Sequence, residues 1–389
     1  MIDKQLFQSI KLNGLLSFAP DSEAFEMTPL NVLIGPNGSG KSNLIEAFEL
    51  LRALPVDMAA AIRLGGGIGE WLWKGHGGDQ IARIETAIAL PPLDGLLRYS
   101  LNLEQQGQRF HVLSESVLSK RNLTRGRLRE ITTNRCEGSI IRKSHIKKDE
   151  DISDDYEIPD NQSIFSQIKG YNDINQASKT FSQIQTFREW SFGRTSPLRR
   201  PQVADDQADQ LLPDARNLAL VLNEIHHSNG GLLDGYIQRF LPRFRRLTTR
   251  ILGGTVQFYL HEAGLDQPIP ATRLSDGTLR FLALLAALHA PTPPTLLCIE
   301  EPELGLHPDS LALLAEMLVE ASQRMQLVVT THSDVLISAL TDHVESVVVC
   351  ENNGHGTTLR RLDAGRLAVW LKDYSLGDIW RIGEIGGNL

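Results

Sequence analysis

Long apolar runs are missing from this chain. No stretch approaches the roughly 18 consecutive apolar residues that a membrane-spanning helix needs, and Met1-Ile2-Asp3-Lys4-Gln5-Leu6 has no signal-peptide apolar core. Both absences predict a soluble, cytoplasmic protein with no membrane partner. Cysteine is scarce: Cys136, Cys298 and Cys350 stand far apart, without the paired spacing of a zinc site, and an odd number suits no disulfide framework. They are expected to be small, inert hydrophobes. Excess positive charge is lacking too, since the formal net charge is -8, which excludes coating of nucleic acid by overall charge. Neither an internal repeat nor a heptad run long enough for a coiled coil is present.

What is there is ordinary globular composition, 41% hydrophobic and 22% charged over 389 residues, enough for one large domain or two modest ones. Residues 1–93 alternate short apolar runs with Gly and Pro. Leu30 to Ile34 reads as a buried strand, and Leu44, Ile45, Ala47, Phe48, Leu50 and Leu51 then recur at helical spacing. Ile81 to Leu90 reads as a further strand. Composition then shifts: residues 120–148 carry ten Lys/Arg against two Glu, and residues 149–160 carry seven Asp/Glu and no base. Block charge of this kind marks exposed chain, and the apolar signal stays thin to about Thr186. Patterning resumes near Asp214, and Leu218, Leu220, Val221, Leu222 and Ile225 read as a helix. From there helices near 278–288 and 309–325 alternate with strands at Leu296–Ile299, Leu327–Thr331 and Ser346–Cys350, the signature of a parallel sheet covered on both faces. The expected division is 1–110, an inserted polar segment 111–205, and 206–389.

Four motifs carry chemistry. Gly35-Pro36-Asn37-Gly38-Ser39-Gly40-Lys41-Ser42 matches G-x-x-x-x-G-K-[ST] at every fixed position, between a predicted strand and a predicted helix. Gly38 and Gly40 let backbone N–H groups wrap phosphates, the helix N-terminus aims its positive end at them, Lys41 adds a charge, and the Ser42 hydroxyl suits Mg²⁺. This predicts ATP binding. The strand Leu296-Leu297-Cys298-Ile299 ends in Glu300 and Glu301, where a parallel sheet presents residues to a ligand; Glu300 is assigned to the metal and Glu301 to the attacking water. Leu274-Ser275-Asp276-Gly277-Thr278 opens an apolar helix and reads either as a plain N-cap or as a second anion-binding terminus. Val328-Val329-Thr330-Thr331-His332-Ser333 delivers His332 beside the Glu300/Glu301 strand, within reach of a γ-phosphate or a catalytic water.

These four elements, in this order, resemble the ABC-type ATPases. The resemblance makes residues 35–42 the Walker A loop, with Asn43 following it, 274–278 the signature, 296–301 Walker B with its catalytic carboxylate, and His332 the switch histidine. It implies an α/β fold, a P-loop head with a largely parallel sheet flanked by helices, an antiparallel lobe and an inserted polar segment. Ile34 to Asn43 and Glu300-Glu301-Pro302-Glu303-Leu304-Gly305-Leu306-His307-Pro308 resemble the SMC, RecF and OLD branch, and bacterial ATPases of the AAA_21 type within it. There, two heads associate head to tail, so Ser275 and Gly277 of one copy would meet ATP on the Walker loop of the other, with Leu304 to His307 as the interfacial D-loop. The implied setting is anti-phage or foreign-DNA defence with a separate effector such as a TOPRIM-like nuclease, because 333–389 is too short for a nuclease domain. The alternatives are a RecF-like DNA-repair or chromosome-maintenance ATPase and, less well supported, a transporter nucleotide-binding subunit.

Two departures stand out: Glu300 replaces the commoner Asp, and Asp276 puts a carboxylate where the wider family has Gly. No Q-loop glutamine can be singled out among Gln183, Gln185 and Gln202. Basic clusters at Lys120–Arg135, Arg142–Lys148, Arg194–Arg200 and Arg239–Arg246 read either as solvated faces or as DNA or RNA phosphate contacts. The aromatic-rich segment Trp370–Trp380 reads as core packing or as a docking surface.

Overall fold

The computed structural model describes residues 6–76, 81–90, 95–123, 127–136, 139–145, 158–168 and 171–387. Much of the acidic run expected at 149–160, and the side chains of most of the basic run before it, lie outside the described residues.

A six-stranded sheet organises the molecule. Its order is Thr357–Arg361, Val347–Asn352, Leu30–Ile34, Gln326–Thr330, Leu296–Glu300 and Ile184–Phe187, parallel throughout except at the first edge. Its inner strands are mostly apolar because both faces are covered, with Asn31 and Gln326 buried among them. Alternate residues feed different cores: Val32, Ile34, Leu297, Ile299, Leu327 and Val329 face one cluster, and Leu33, Leu296, Cys298 and Val328 the other. Each such side chain, fully withdrawn from water, contributes roughly 1.5–3 kcal/mol. Leu30–Ile34 and Leu296–Glu300 do not pair directly; Gln326–Thr330 lies between them. The strand that leads to His332 is therefore inserted between those that end in the phosphate loop and in Glu300.

The second cluster lies between this sheet and a seven-stranded antiparallel sheet, ordered Phe25–Glu26, Phe7–Asn13, Ile81–Leu90, Gly95–Gln106, Arg109–Leu123, Arg127–Cys136 and Ser139–His145. The charged stretch past residue 109 thus extends the antiparallel lobe as long strands. Helix Lys41–Ala53 fills the space between the sheets with Leu44, Ile45, Phe48 and Leu51.

The apolar signal expected to be thin before Thr186 is structurally substantial. Ile164 and Phe165 are buried, and helix Asn172–Ser182 buries Ile174, Ala177 and Phe181. Phe165 and Phe181 meet edge to face at 5.3 Å, and Tyr99 lies against both. Single apolar residues in short elements separated by polar turns leave little periodicity to read. Arg135, placed by sequence among possible phosphate contacts, is fully buried, donates to the carbonyls of Ile158 (3.1 Å) and Pro159 (2.8 Å), and pairs with Asp160 at 3.6 Å. A guanidinium so committed cannot serve a phosphate.

On the far side, helix Leu218–Phe240 packs on helix Asp276–His289, and a small antiparallel sheet is built on the hairpin Phe244–Leu252 and Thr255–Glu262. In the terminal aromatic segment Trp380, Leu376 and Ile379 enter the core, while Trp370 and Tyr374 are exposed. Among the described residues no helix is long and apolar enough to cross a membrane.

Candidate functional site

The glycines of the phosphate loop are there for backbone reasons. A Cβ at Gly38 (φ +77°) would find no atom within 4 Å, which leaves an open cradle, whereas a Cβ at Gly40 (φ +100°) would meet Thr357 Oγ1 at 2.0 Å. Gly35 likewise abuts the Cys350 carbonyl, at 2.2 Å from where its Cβ would stand. Gly40 caps helix Lys41–Ala53 without any side-chain hydrogen bond, so the first-turn N–H groups stay free for an anion. Lys41 folds into the loop, its Nζ donating to the carbonyls of Gly35 (2.7 Å) and Pro36 (2.9 Å). Burial holds its ammonium below the usual range, opposed by Cys350, Glu301 and Glu300. Pro36 is half-buried, Asn37 and Gly38 are exposed, Ser39 is buried, Ser42 is exposed and Asn43 is half-buried.

Glu300 and Glu301 leave the end of the Leu296–Glu300 strand in different directions. Glu300 Oε2 receives Arg188 Nε at 3.3 Å, while its Oε1 is buried and, among the described residues, without a partner. Arg188 also donates to Glu49 Oε2 at 3.0 Å, and Thr186 to the other oxygen of Glu49 at 2.9 Å. Glu301 has φ +44°, a left-handed conformation costing a non-glycine residue roughly 1–3 kcal/mol. Its N–H donates to the Thr330 carbonyl at 3.0 Å, which fixes the bend, and its carboxylate lies 3.7 Å from His332 Nε2. His332 is exposed, but its backbone is held: Glu303 Oε1 accepts from His332 N (2.9 Å) and Thr331 Oγ1 (2.7 Å).

Ser275 is the N-cap of helix Asp276–His289, its Oγ accepting from Thr278 N at 3.1 Å. Among the described residues no hydrogen bond links Ser275, Asp276 or Gly277 to the phosphate loop. Gly277 instead packs against the Gly305 carbonyl, and one turn further on Arg280 donates to the Glu301 carbonyl at 3.1 Å with its guanidinium 5.0 Å over the Phe192 ring. Asp276 is ion-paired to Arg199.

Sequence reading gave no individual role to Arg188, Glu49, Arg199, Arg280 or Glu303, whose partners are remote in the chain. Of the candidate Q-loop glutamines, two are engaged elsewhere. Gln202 is buried with its Oε1 on Ala219 N, and Gln185 bonds Gln210. Gln183 ends helix Asn172–Ser182. The side chain beside Glu300 at the end of strand Ile184–Phe187 is Arg188.

A phosphate loop at the end of one parallel strand, a carboxylate pair two strands away and an antiparallel lobe over the loop helix define the head fold of ABC-type P-loop ATPases. The family model described as "AAA domain, putative AbiEii toxin, Type IV TA system" matches residues 30–338, and the chain belongs to that family. Its fold is similar to the SMC head bound to the C-winged helix domain of ScpA (TM-score 0.55, 13% identity, 93% of this chain and 99% of that one). It is similar also to the Pyrococcus furiosus Smc head with an extended coiled coil bound to the C-terminal domain of ScpA (TM-score 0.53, 14% identity, 95% and 99%). The Pyrococcus yayanosii Smc head with a coiled coil and joint is a third (TM-score 0.52, 11% identity, 95% and 99%). No curated protein matches the chain in sequence.

Proposed function

We propose that the chain is a Mg²⁺-dependent ATPase that closes into a head-to-tail dimer around two ATP molecules. Residues Gly35 to Asn43 bind the triphosphate, with Lys41 leaving the Gly35 and Pro36 carbonyls for it. Ser42 and Glu300 would hold the metal, which would neutralise phosphate charge when bound. The fit rests on Glu300 Oε1, a buried carboxylate oxygen without a partner among the described residues, and on an all-oxygen donor pair that suits a hard cation. Among the described residues no cluster of three or more His, Cys, Asp or Glu could hold a metal alone.

Glu301 takes the proton of the attacking water, and His332 steadies the same water or the γ-phosphate. The observation that carries this reading is the strained bend at Glu301, which turns its carboxylate to His332 across two adjacent strands. Ser275 and Gly277 serve the ATP of the second copy. Hydrolysis reopens the dimer and so switches a bound effector, for which a separate nuclease in foreign-DNA defence is our reading. In Glu301→Gln, ATP binding is expected to persist while turnover falls by at least about a hundredfold; an unchanged steady-state rate would contradict the mechanism.

A nucleic-acid contact has its own support. Arg246 and Arg250 are exposed on one face of the hairpin, cross-strand from His261 and Gln257, with Arg250 4.9 Å over the Tyr259 ring. Salt-dependent DNA affinity that is lost when Arg243, Arg245, Arg246 and Arg250 become Ala would favour the RecF-like reading.

A further inference from the structure

The carboxylate of Asp276 is an obstacle for the proposed dimer. Its side chain is 67% exposed at the helix N-terminus that is to face the partner's triphosphate, and two negative groups brought together repel. Beneath it lies Arg199, only 8% exposed. Its Nε donates to the Phe192 carbonyl at 2.9 Å. Its Nη1 donates to the carbonyls of Leu274 at 2.6 Å and Thr272 at 3.5 Å, and its Nη2 to Asp276 Oδ1. The guanidinium fork is therefore spent on one turn, residues 272–276, and on Phe192, in the segment just before Arg199 itself. Arg supplies both a planar set of donors and a charge that burial does not remove.

We propose that Arg199 is a positioning residue for the ATP of the partner copy, an inference that rests on the dimer reading above. It cancels the charge of Asp276 and holds that carboxylate back on its own chain. By gripping the Leu274 and Thr272 carbonyls it also sets the turn that carries the exposed Ser275 and the N–H groups of Asp276 and Gly277, which the Ser275 cap leaves for an anion. An Asp–Arg pair thus takes the place of an uncharged glycine in this signature. Asp276 alone would repel the triphosphate; Asp276 with Arg199 does not.

The test uses the full chain carrying Glu301→Gln, with Mg·ATP, and reads the dimer dissociation constant by sedimentation. Arg199→Met is expected to weaken the dimer by about tenfold or more, the effect of one uncompensated like charge at an interface. Asp276→Asn alone should leave it as tight or tighter, and adding Asp276→Asn to Arg199→Met should recover most of the loss, which a purely structural role would not allow. The deficit of Arg199→Met should also shrink in high salt. A fluorescent ATP analogue, added at protein concentrations too low for dimers, should bind all variants alike. Where Arg199→Met does not fold, Arg199→Gln keeps a donor for Leu274 without the charge and carries the same expectations. Parent-like dimerisation of the Arg199 variant, or no rescue by Asp276→Asn, overturns the proposal alone. If the Glu301→Gln parent stays monomeric in saturating Mg·ATP, the dimer reading falls and takes the proposal with it.

Discussion

Replacing Arg188 by Met keeps much of the side chain's length and removes the charge that joins helix Lys41–Ala53 to the Glu300 strand. Two contacts go, 3.0 Å to Glu49 and 3.3 Å to Glu300, between side chains 29%, 32% and 18% exposed respectively for Arg188, Glu49 and Glu300. At an effective dielectric of about 20 each attraction is worth roughly 4 kcal/mol gross, most of it offset by desolvation. Exposed pairs net about 1 kcal/mol or less, and breaking buried ones costs about 3–5 kcal/mol. For this intermediate burial the expected loss is about 1–3 kcal/mol in metal-free buffer. Glu46, already raised above the usual carboxylate range by burial and held down in part by Arg188, should rise further. Without Arg188, Glu49 and Glu300 are unopposed, so Mg²⁺ should stabilise Arg188→Met more than the parent. Urea unfolding without nucleotide, in chelator and then in Mg²⁺, measures both. Equal midpoints in chelator, or equal stabilisation by magnesium, would refute this account of the ion-pair bridge.

Lys41→Ala should abolish ATP binding measured by calorimetry, with the far-ultraviolet circular dichroism unchanged. Gly277→Ala puts a methyl 2.8 Å from the Gly305 carbonyl, a backbone atom that cannot swing aside, and should cost about 1–3 kcal/mol in unfolding free energy. His289 is held neutral by burial, its pKa pushed down to about 4. The unfolded chain, titrating near pH 6.5, binds the proton first, so stability should fall by up to about 3 kcal/mol as pH drops from about 6.5 to 4. His289→Leu should flatten that slope; an unchanged slope would place the acid sensitivity elsewhere.

The phosphate loop was legible because its chemistry is local. Three glycines, a lysine and a following helix lie within ten residues, and the backbone angles they permit are what the fold uses. The strand end at Glu300 was legible from the apolar run Leu296–Ile299, and the acidic pair gained its meaning only beside the phosphate loop. Arg188 and Arg199 were not legible, because what matters about them is a partner 112 or 77 positions away. In sequence both are ordinary members of a basic, polar stretch. The hairpin 244–262 was missed although Gly253-Gly254 between two regularly paired runs is a turn signal, because the arginines there read only as a cluster of charge. Arg135 shows the converse error, in which a cation counted with a charged run turned out to hold the core together.

Whether ATP joins two copies across Ser275 and the phosphate loop is the central question, and light scattering answers it most directly. The Glu301→Gln protein is measured with and without Mg·ATP, beside the Lys41→Ala protein. The expected result is twice the mass of one chain for Glu301→Gln only when Mg·ATP is present, and a single chain for Lys41→Ala throughout. A Glu301→Gln protein that binds ATP yet keeps the same mass with and without it would contradict the claim.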